Sequence, residues 1–162
     1  MADIDEALAY AGKGYCVFPV HHMIGKDCSC KKWNCKQGKH PRITKWQDRA
    51  TTNESQIKAW WTKWPASNIG IVTGVKSKLL VIDIDPRNGG DKSLQYLINA
   101  YDGFEPTLNT YTVSTGGGGI HYYFVIDKPF KSTKKHGLGV GIDIQADNAY
   151  VIAPPSNHKS GG

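Results

Sequence analysis

Leu79-Leu80-Val81-Ile82-Asp83-Ile84-Asp85 runs directly into Pro86-Arg87-Asn88-Gly89-Gly90. A run dominated by branched aliphatic residues and closed by proline, asparagine and glycine reads as a buried β-strand that ends in a turn. Side chains alternate along a strand, so Asp83 and Asp85 share one face with Val81, while Ile82 and Ile84 point the other way. Neighbouring carboxylates repel and are costly in a sheet unless cations neutralise them. A pair at this spacing can bridge divalent ions ~3.5–4 Å apart, as two-metal phosphoryl transfer requires. A bare Asp-x-Asp is a short motif, and its other reading, a strand end reaching solvent at a turn, stays open at this point.

Working outward, Asn68-Ile69-Gly70-Ile71-Val72-Thr73 is a second strand, and the short glycine-containing turn between it and Leu79 predicts a hairpin. A helix is expected from Lys92 to Ala100. Strands at Asn109 to Val113 and His121 to Ile126 flank the glycine run Gly116 to Gly119, and Gly141 to Gln145 with Tyr150 to Ala153 are expected to pair before Pro154-Pro155. Toward the N-terminus, Asp3 to Ala11 starts as a helix, Gly12 and Gly14 end it, and Tyr15 to Val20 is β-rich. Thr51-Thr52-Asn53-Glu54 offers an N-cap ahead of Ile57, Trp60, Trp61 and Trp64, an apolar face at helical spacing closed by Pro65. These tryptophans are assigned to the core. The chain has no internal repeat, and hairpins interrupted by helices predict an α+β fold with a largely antiparallel sheet.

Two further elements carry candidate chemistry. Thr115-Gly116-Gly117-Gly118-Gly119-Ile120-His121 is a glycine loop leading into an aromatic strand. Such a loop can cradle phosphates, with His121 donating a hydrogen bond to a triphosphate oxygen, or it is a plain hairpin loop with an incidental histidine. It lacks the Gly-Lys-Ser/Thr ending of a P-loop. In Gly141-Ile142-Asp143-Ile144-Gln145 the isoleucines point to the core and Asp143 to the opposite face. Mg²⁺ and Mn²⁺ take several oxygen ligands, so Asp143 gains meaning as a third carboxylate beside Asp83 and Asp85.

From His21 to Arg42 the sequence turns to Lys, Cys, Gly, Asn and Pro with almost no apolar periodicity. Within it, Cys28-x-Cys30-x4-Cys35-x4-His40 places three thiolates and an imidazole within thirteen residues, a closed tetrahedral zinc set. His21 and His22 are alternative ligands, and Cys16 stands apart as a core residue. A closed site has no open coordination position, which assigns this zinc to folding or nucleic-acid contact.

The 162 residues, 40% of them hydrophobic, are read as one domain spanning 1–162. A formal charge of +6 and a pI near 9.1 fit a polyanionic partner or a solvated lysine surface. No run approaches the ~20 apolar residues of a membrane span, and the start MADIDEALAY is acidic, unlike a signal peptide. A cytoplasmic protein without a membrane partner is expected.

Taken in order, an apolar strand with Asp-x-Asp, a glycine loop ending in His121 and an aromatic strand, then Asp143 ahead of Tyr150-Val151-Ile152-Ala153-Pro154-Pro155-Ser156, resemble the bifunctional primase-polymerase (Prim-Pol) domain of the archaeo-eukaryotic primase superfamily. The resemblance runs nearly end to end and includes Gly14 to Pro19, Cys28 to Arg42, Trp46, Ala50 to Thr52, Trp60-Trp61 and Asn68 to Gly70. It implies a primase-like catalytic core with an RRM-like sheet, flanking helices and a zinc-binding loop at about 21–42. It implies catalytic roles for Asp83, Asp85, His121 and Asp143, the three aspartates holding two Mg²⁺ or Mn²⁺ ions, with structural Zn²⁺ on Cys28, Cys30, Cys35 and His40. The triphosphate would meet Ser114, Thr115, Gly117, Gly118, Gly119, His121, Ser156 and His158. The reaction implied is attack of a 3′-hydroxyl on the α-phosphate of a nucleoside triphosphate, directed by a single-stranded DNA template and primer, in a prokaryotic plasmid, phage or other mobile-element replication system. Relatives often carry serine where this chain has Gly117, so Ser114 or Thr115 is the substitute. They also continue past this point, often into a helicase, and the chain is expected to be a fragment of a longer replication protein.

Two other functions use the same residues. A non-catalytic zinc-containing nucleic-acid-binding module would grip phosphates with Lys31, Lys32, Lys36, Lys39, Arg42 and Lys45, steeply salt-dependent and indifferent to Mg²⁺ or Mn²⁺. A metal-dependent nuclease would release nucleotide instead of incorporating it.

Overall fold

In the computed structural model, residues 3–101, 109–133 and 138–160 are described. The chain is mixed α+β with antiparallel sheets, and it divides into two compact units, one formed by the N-terminal segment to Val72 with the segment from Tyr150 onward, the other by Thr73–Ala149.

The first unit is built on a three-stranded antiparallel sheet in the order β1 (Val17–Val20), β4 (Asn68–Val72), β9 (Tyr150–Ala153). β4 is buried at every position and central, and Gly70 is required there because a Cβ would stand 2.5 Å from the Phe18 ring on β1. Helix α1 (Ile4–Gly12) opens with a capping box, in which Asp3 accepts from the Asp5 and Glu6 amides and Glu6 returns a bond to the Asp3 amide. A short helix α2 spans Trp46–Arg49. Helix α3 (Glu54–Lys63) is capped by Asn53, whose side chain accepts from the Gln56 amide. Its buried face is Ile57, Trp60 and Trp61, while Trp64, expected with them in the core, lies just past the helix as its C-cap and is only partly buried. A two-stranded hairpin, β2 (Met23–Ile24) and β3 (Asp27–Cys28), begins the cysteine loop. Cys16, expected in the core, is only partly buried.

The second unit is a four-stranded antiparallel sheet in the order β6 (Tyr111–Ser114), β7 (Ile120–Val125), β5 (Leu79–Ile84), β8 (Ile142–Gln145). Helix α4 (Gly90–Ala100) packs Leu94 and Leu97 against one face, with Ile82, Ile84, Ile120, Tyr122 and Ile142. The alternation read from the sequence holds within the strands, with isoleucines on the covered face and Asp83 and Asp143 on the other, whereas Asp85, expected on the same strand face as Asp83, lies past the end of β5 in a turn.

Two expected pairings are wrong. Asn68–Val72 does not form a hairpin with Leu79–Ile84; it is flanked on both edges by β1 and β9, which leaves no edge for β5. Gly141–Gln145 does not pair with Tyr150–Ala153, because β8 takes the free edge of β5. Short connections make neighbours in sequence available to each other, but the edge that buries the most apolar surface wins. The β6–β7 hairpin around the glycine run stands as expected.

Candidate active site and metal centre

Strand β5 lies between β7 and β8, and its register sets Asp83 directly opposite His121 on one side and Asp143 on the other. His121 in turn faces Val113 of β6. Directly paired residues on antiparallel strands project to the same face, so Val113, His121, Asp83 and Asp143 form one cross-strand row on the face opposite α4. The next row on that face is Tyr111, Tyr123, Val81 and Gln145. His121 Nε2 lies 3.5 Å from Asp83 Oδ1, with side-chain exposures of 12% and 32%. His121 Nδ1 is buried and has no hydrogen-bond partner among the described residues. Leaving a buried polar atom unpaired costs about 1–3 kcal/mol, and such atoms mark places where a water, ion or functional group completes the structure.

Asp85 lies one residue beyond β5, where it caps a 3-10 turn over Pro86–Asn88. Its carboxylate accepts from the Arg87 amide and Nε, both 3.1 Å, from Arg87 Nη2 at 3.2 Å and from Asn88 Nδ2 at 2.8 Å. The Arg87 hydrogen bond is the largest of the effects that hold the Asp85 carboxyl below its ordinary range. A cation thus already sits on one of the three acids. The sequence reading passed over Arg87 and Asn88, although Asp-Pro-Arg-Asn carries the signal of an aspartate-capped turn.

The glycine loop is tied to itself. The Thr115 amide donates to Gly119 O at 2.8 Å, the Gly118 amide to Thr115 O at 2.9 Å and the Gly119 amide to Thr115 Oγ1 at 3.0 Å. The Gly118 and Gly119 amides are spent inside the turn. A Cβ at Gly119 would stand 2.4 Å from Ile84 O, so this position admits only glycine without backbone movement. A Cβ at Gly117 would meet only the guanidinium of Arg87, at 2.9 Å from Nη2. Arg87 therefore lies between the Asp85 carboxylate and the glycine loop. Ser114 is the last residue of β6, opposite Ile120. Ser156 and His158 belong to the first unit, where Ser156 Oγ accepts from the Ile69 amide at 2.9 Å and His158 Nδ1 lies 2.9 Å from Ser160 Oγ.

The cysteine loop brings Cys28, Cys30, Cys35 and His40 together with all four ligand atoms within 4.8 Å of one another. Cys28 Sγ is 3.5 Å from His40 Nε2, and Cys30 Sγ is 3.4 Å from Cys35 Sγ. Tetrahedral zinc with Zn–S bonds of 2.3 Å needs sulfur–sulfur edges of about 3.8 Å, so the donor set and its spacing fit this ion. Burial first, then the Cys30 and Cys28 thiols, push Cys35 up to about 12, so thiolates gathered this closely disfavour one another unless a cation balances them. His21 and His22 are outside the set. His21 stacks on His40 at 4.3 Å between ring centroids and bonds Ser29 Oγ through Nδ1, while His22 Nδ1 and Ser29 Oγ both receive Arg42 Nη2. The loop is pinned at its base by buried Asn68, which donates to Gly38 O, and by Asn157, which bonds both polar backbone groups of Met23.

No described helix is long and apolar enough to cross a membrane. No curated protein matches the sequence. The family model described as bifunctional DNA primase/polymerase, N-terminal, matches residues 7–162. With essentially the whole length matched, and with its α+β fold and Cys3His cluster, the chain belongs to the bifunctional DNA primase/polymerase N-terminal family.

Proposed function

We propose that this chain is a template-dependent nucleotidyltransferase that extends, and in its full-length context primes, DNA chains. Family membership supports primase or polymerase activity in general, with DNA and nucleotides as substrates. The observation that carries the site assignment is the register of β5, which aligns Asp83 with His121 and Asp143 in one row while Asp85 stands two residues further along.

Asp83, Asp85 and Asp143 are the residues that would hold two Mg²⁺ or Mn²⁺ ions, and hard carboxylate oxygens suit both ions. When bound, such a pair lowers the barrier to attack by a 3′-hydroxyl and steadies the departing pyrophosphate. Asp83 and Asp143, facing each other, concentrate negative charge on one row, which suits a divalent cation. Asp85, already carrying the Arg87 guanidinium, is the acid whose partner changes when the site fills. His121 donates a hydrogen bond to the triphosphate, and Thr115 and the Gly117 side of the loop shape its seat. Ser114 completes that assignment, and Gly118 and Gly119, whose amides are already bonded within the turn, serve it by letting the backbone approach closely. Structural Zn²⁺ on Cys28, Cys30, Cys35 and His40 takes no part in the chemistry. Within this reading residues 1–162 are the catalytic domain of a primase core that serves the replication of a plasmid, phage or mobile element and works beside a helicase.

The test is incorporation of labelled nucleotide on a primed single-stranded template with Mn²⁺, using ribo- and deoxynucleotide sets, with and without primer. Wild-type protein incorporates label, and Asp83→Ala combined with Asp85→Ala abolishes it while the circular dichroism spectrum is unchanged. Undiminished synthesis by the double variant ends the assignment, and release of label from the template in place of incorporation makes the chain a nuclease.

A further inference from the structure

The positive charge of this chain is concentrated in one place. His21 to Lys45 holds seven of the twenty basic residues and one of the fourteen acids, so the rest of the chain is electrically balanced and the whole formal excess of +6 resides in this stretch. Three thiolates around a zinc ion remove only one unit of it. At the tip, between Cys30 and Cys35, Lys31, Lys32 and Asn34 are exposed and Trp33 is 91% exposed, the most exposed large hydrophobic side chain among the described residues. Lys36 follows, also exposed. Among the described residues no ion pair involves Lys31, Lys32 or Lys36.

The tip is also held rigidly. Cys30 and Cys35 meet sulfur to sulfur at 3.4 Å, the Lys32 amide donates to Cys30 Sγ at 3.4 Å, and Lys31 adopts a left-handed backbone with φ of 59°. Asn68 and Asn157 anchor the loop from below. A tryptophan carried on so short a loop stands away from any core, and because the backbone around it is already bonded, a ligand has only the indole rotamer left to order. An aromatic face interleaved with lysines has a specific chemical complement, the unstacked base and flanking phosphates of a single strand. A duplex offers phosphates but no exposed base face.

We propose that the tip from Lys31 to Lys36 is the docking surface for the single-stranded template, with the Trp33 indole stacking on a base and Lys31, Lys32 and Lys36 neutralising the adjacent phosphates. The proposal rests on the template-dependent reading above and adds to it where the strand is held, at a surface distinct from the carboxylate row.

The experiment is fluorescence anisotropy of a short labelled oligodeoxythymidylate with the zinc-loaded full chain, without Mg²⁺ or Mn²⁺, over a range of salt concentrations. Trp33→Ala weakens binding by about tenfold, within the range that a stacked base contributes, and Trp33→Phe restores most of it. Lys32→Ala with Lys36→Ala lowers the slope of log affinity against log salt by about 1.4, at ~0.7 per phosphate on a single strand. Zinc content is measured in every variant, so that a lost loop is not read as a lost contact. Wild-type affinity and slope in both variants overturn the proposal, as does a wild-type chain that ignores the oligonucleotide and binds phosphatidylserine vesicles. If these losses appear but no variant or wild-type protein incorporates nucleotide, the docking surface stands and the polymerase reading falls. Incorporation by wild-type protein with binding unaffected in the variants has the reverse meaning.

Discussion

Replacing Asp143 with asparagine keeps the side-chain shape and removes one charge from a row in which Asp83 stands directly opposite. Paired residues on antiparallel strands have Cβ atoms about 4.5–5.5 Å apart, and two charges about 5 Å apart at an effective dielectric of about 20 repel by ~3 kcal/mol. Asp83 is 32% exposed, and His121 stands 3.5 Å away. Solvent screening at that exposure reduces the figure to about 1 kcal/mol. Asp143 also has a partner of its own within the protein, so relief of this repulsion and loss of that contact oppose each other, and without added Mg²⁺ or Mn²⁺ the Asp143→Asn variant should melt within roughly 4 °C of wild type. Saturating Mn²⁺ separates the two proteins. An ion at a hundred times its dissociation constant stabilises the folded state by about 2.7 kcal/mol, roughly 5–10 °C on the same scale, and the variant lacks a ligand needed to gain it. Thermal unfolding of zinc-loaded protein across a Mn²⁺ titration reads both effects. A variant that retains the full Mn²⁺ shift would refute the reasoning, since Asp143 would then contribute nothing to holding the ion.

Gly119→Ala should cost several degrees of melting temperature, because its Cβ would meet the Ile84 carbonyl at 2.4 Å, whereas Gly117→Ser should melt within a degree or two of wild type, since it displaces only the mobile end of Arg87; equal losses would contradict the loop geometry. Cys35→Ser should lose bound zinc and stability together, and the wild-type chain should release protons as zinc binds because Cys35 is held at about 12 without it; metal analysis showing one equivalent of zinc in the variant would refute the ligand set. Burial, followed by the charges of Arg42, His40, His22 and Lys32, lowers His21 to about 4 from 6.5. The unfolded chain takes up that proton first, so His21 contributes stability that is complete above pH 6.5 and is lost as pH falls toward 4; an imidazole titration by NMR with a midpoint near 6.5 would contradict this.

Much of the candidate site was legible because its signals are local. Alternation within Leu79–Asp85 put the acids on one face and the isoleucines on the other, and the structure places Ile82 and Ile84 under α4 as that pattern requires. The zinc ligands lie within one short loop, where spacing alone restricts which atoms can meet. The β6–β7 hairpin follows from a loop too short to permit another partner. Arg87 on Asp85 is equally local and was overlooked, because the turn residues were read as punctuation and not as donors.

What the sequence by itself determined was the strands outside the cysteine loop, the faces on which Asp83 and Asp143 stand, a helix start near Asp3, an N-cap within Thr51–Glu54, and a loop that gathers metal-ligand side chains. Period and short-range hydrogen bonding decide these within a few residues. Only the tertiary structure decided that Asp83 has His121 on one side and Asp143 on the other, that β4 and β8 abandon their nearest neighbours for β1, β9 and β5, and that His40 rather than His21 or His22 is the histidine gathered with the three cysteines. Strand pairing and ligand choice compare alternatives that are locally equivalent. They are settled by which arrangement buries β4 and the covered face of β5 most completely and leaves Asn68 and Asn157 with every buried polar group paired.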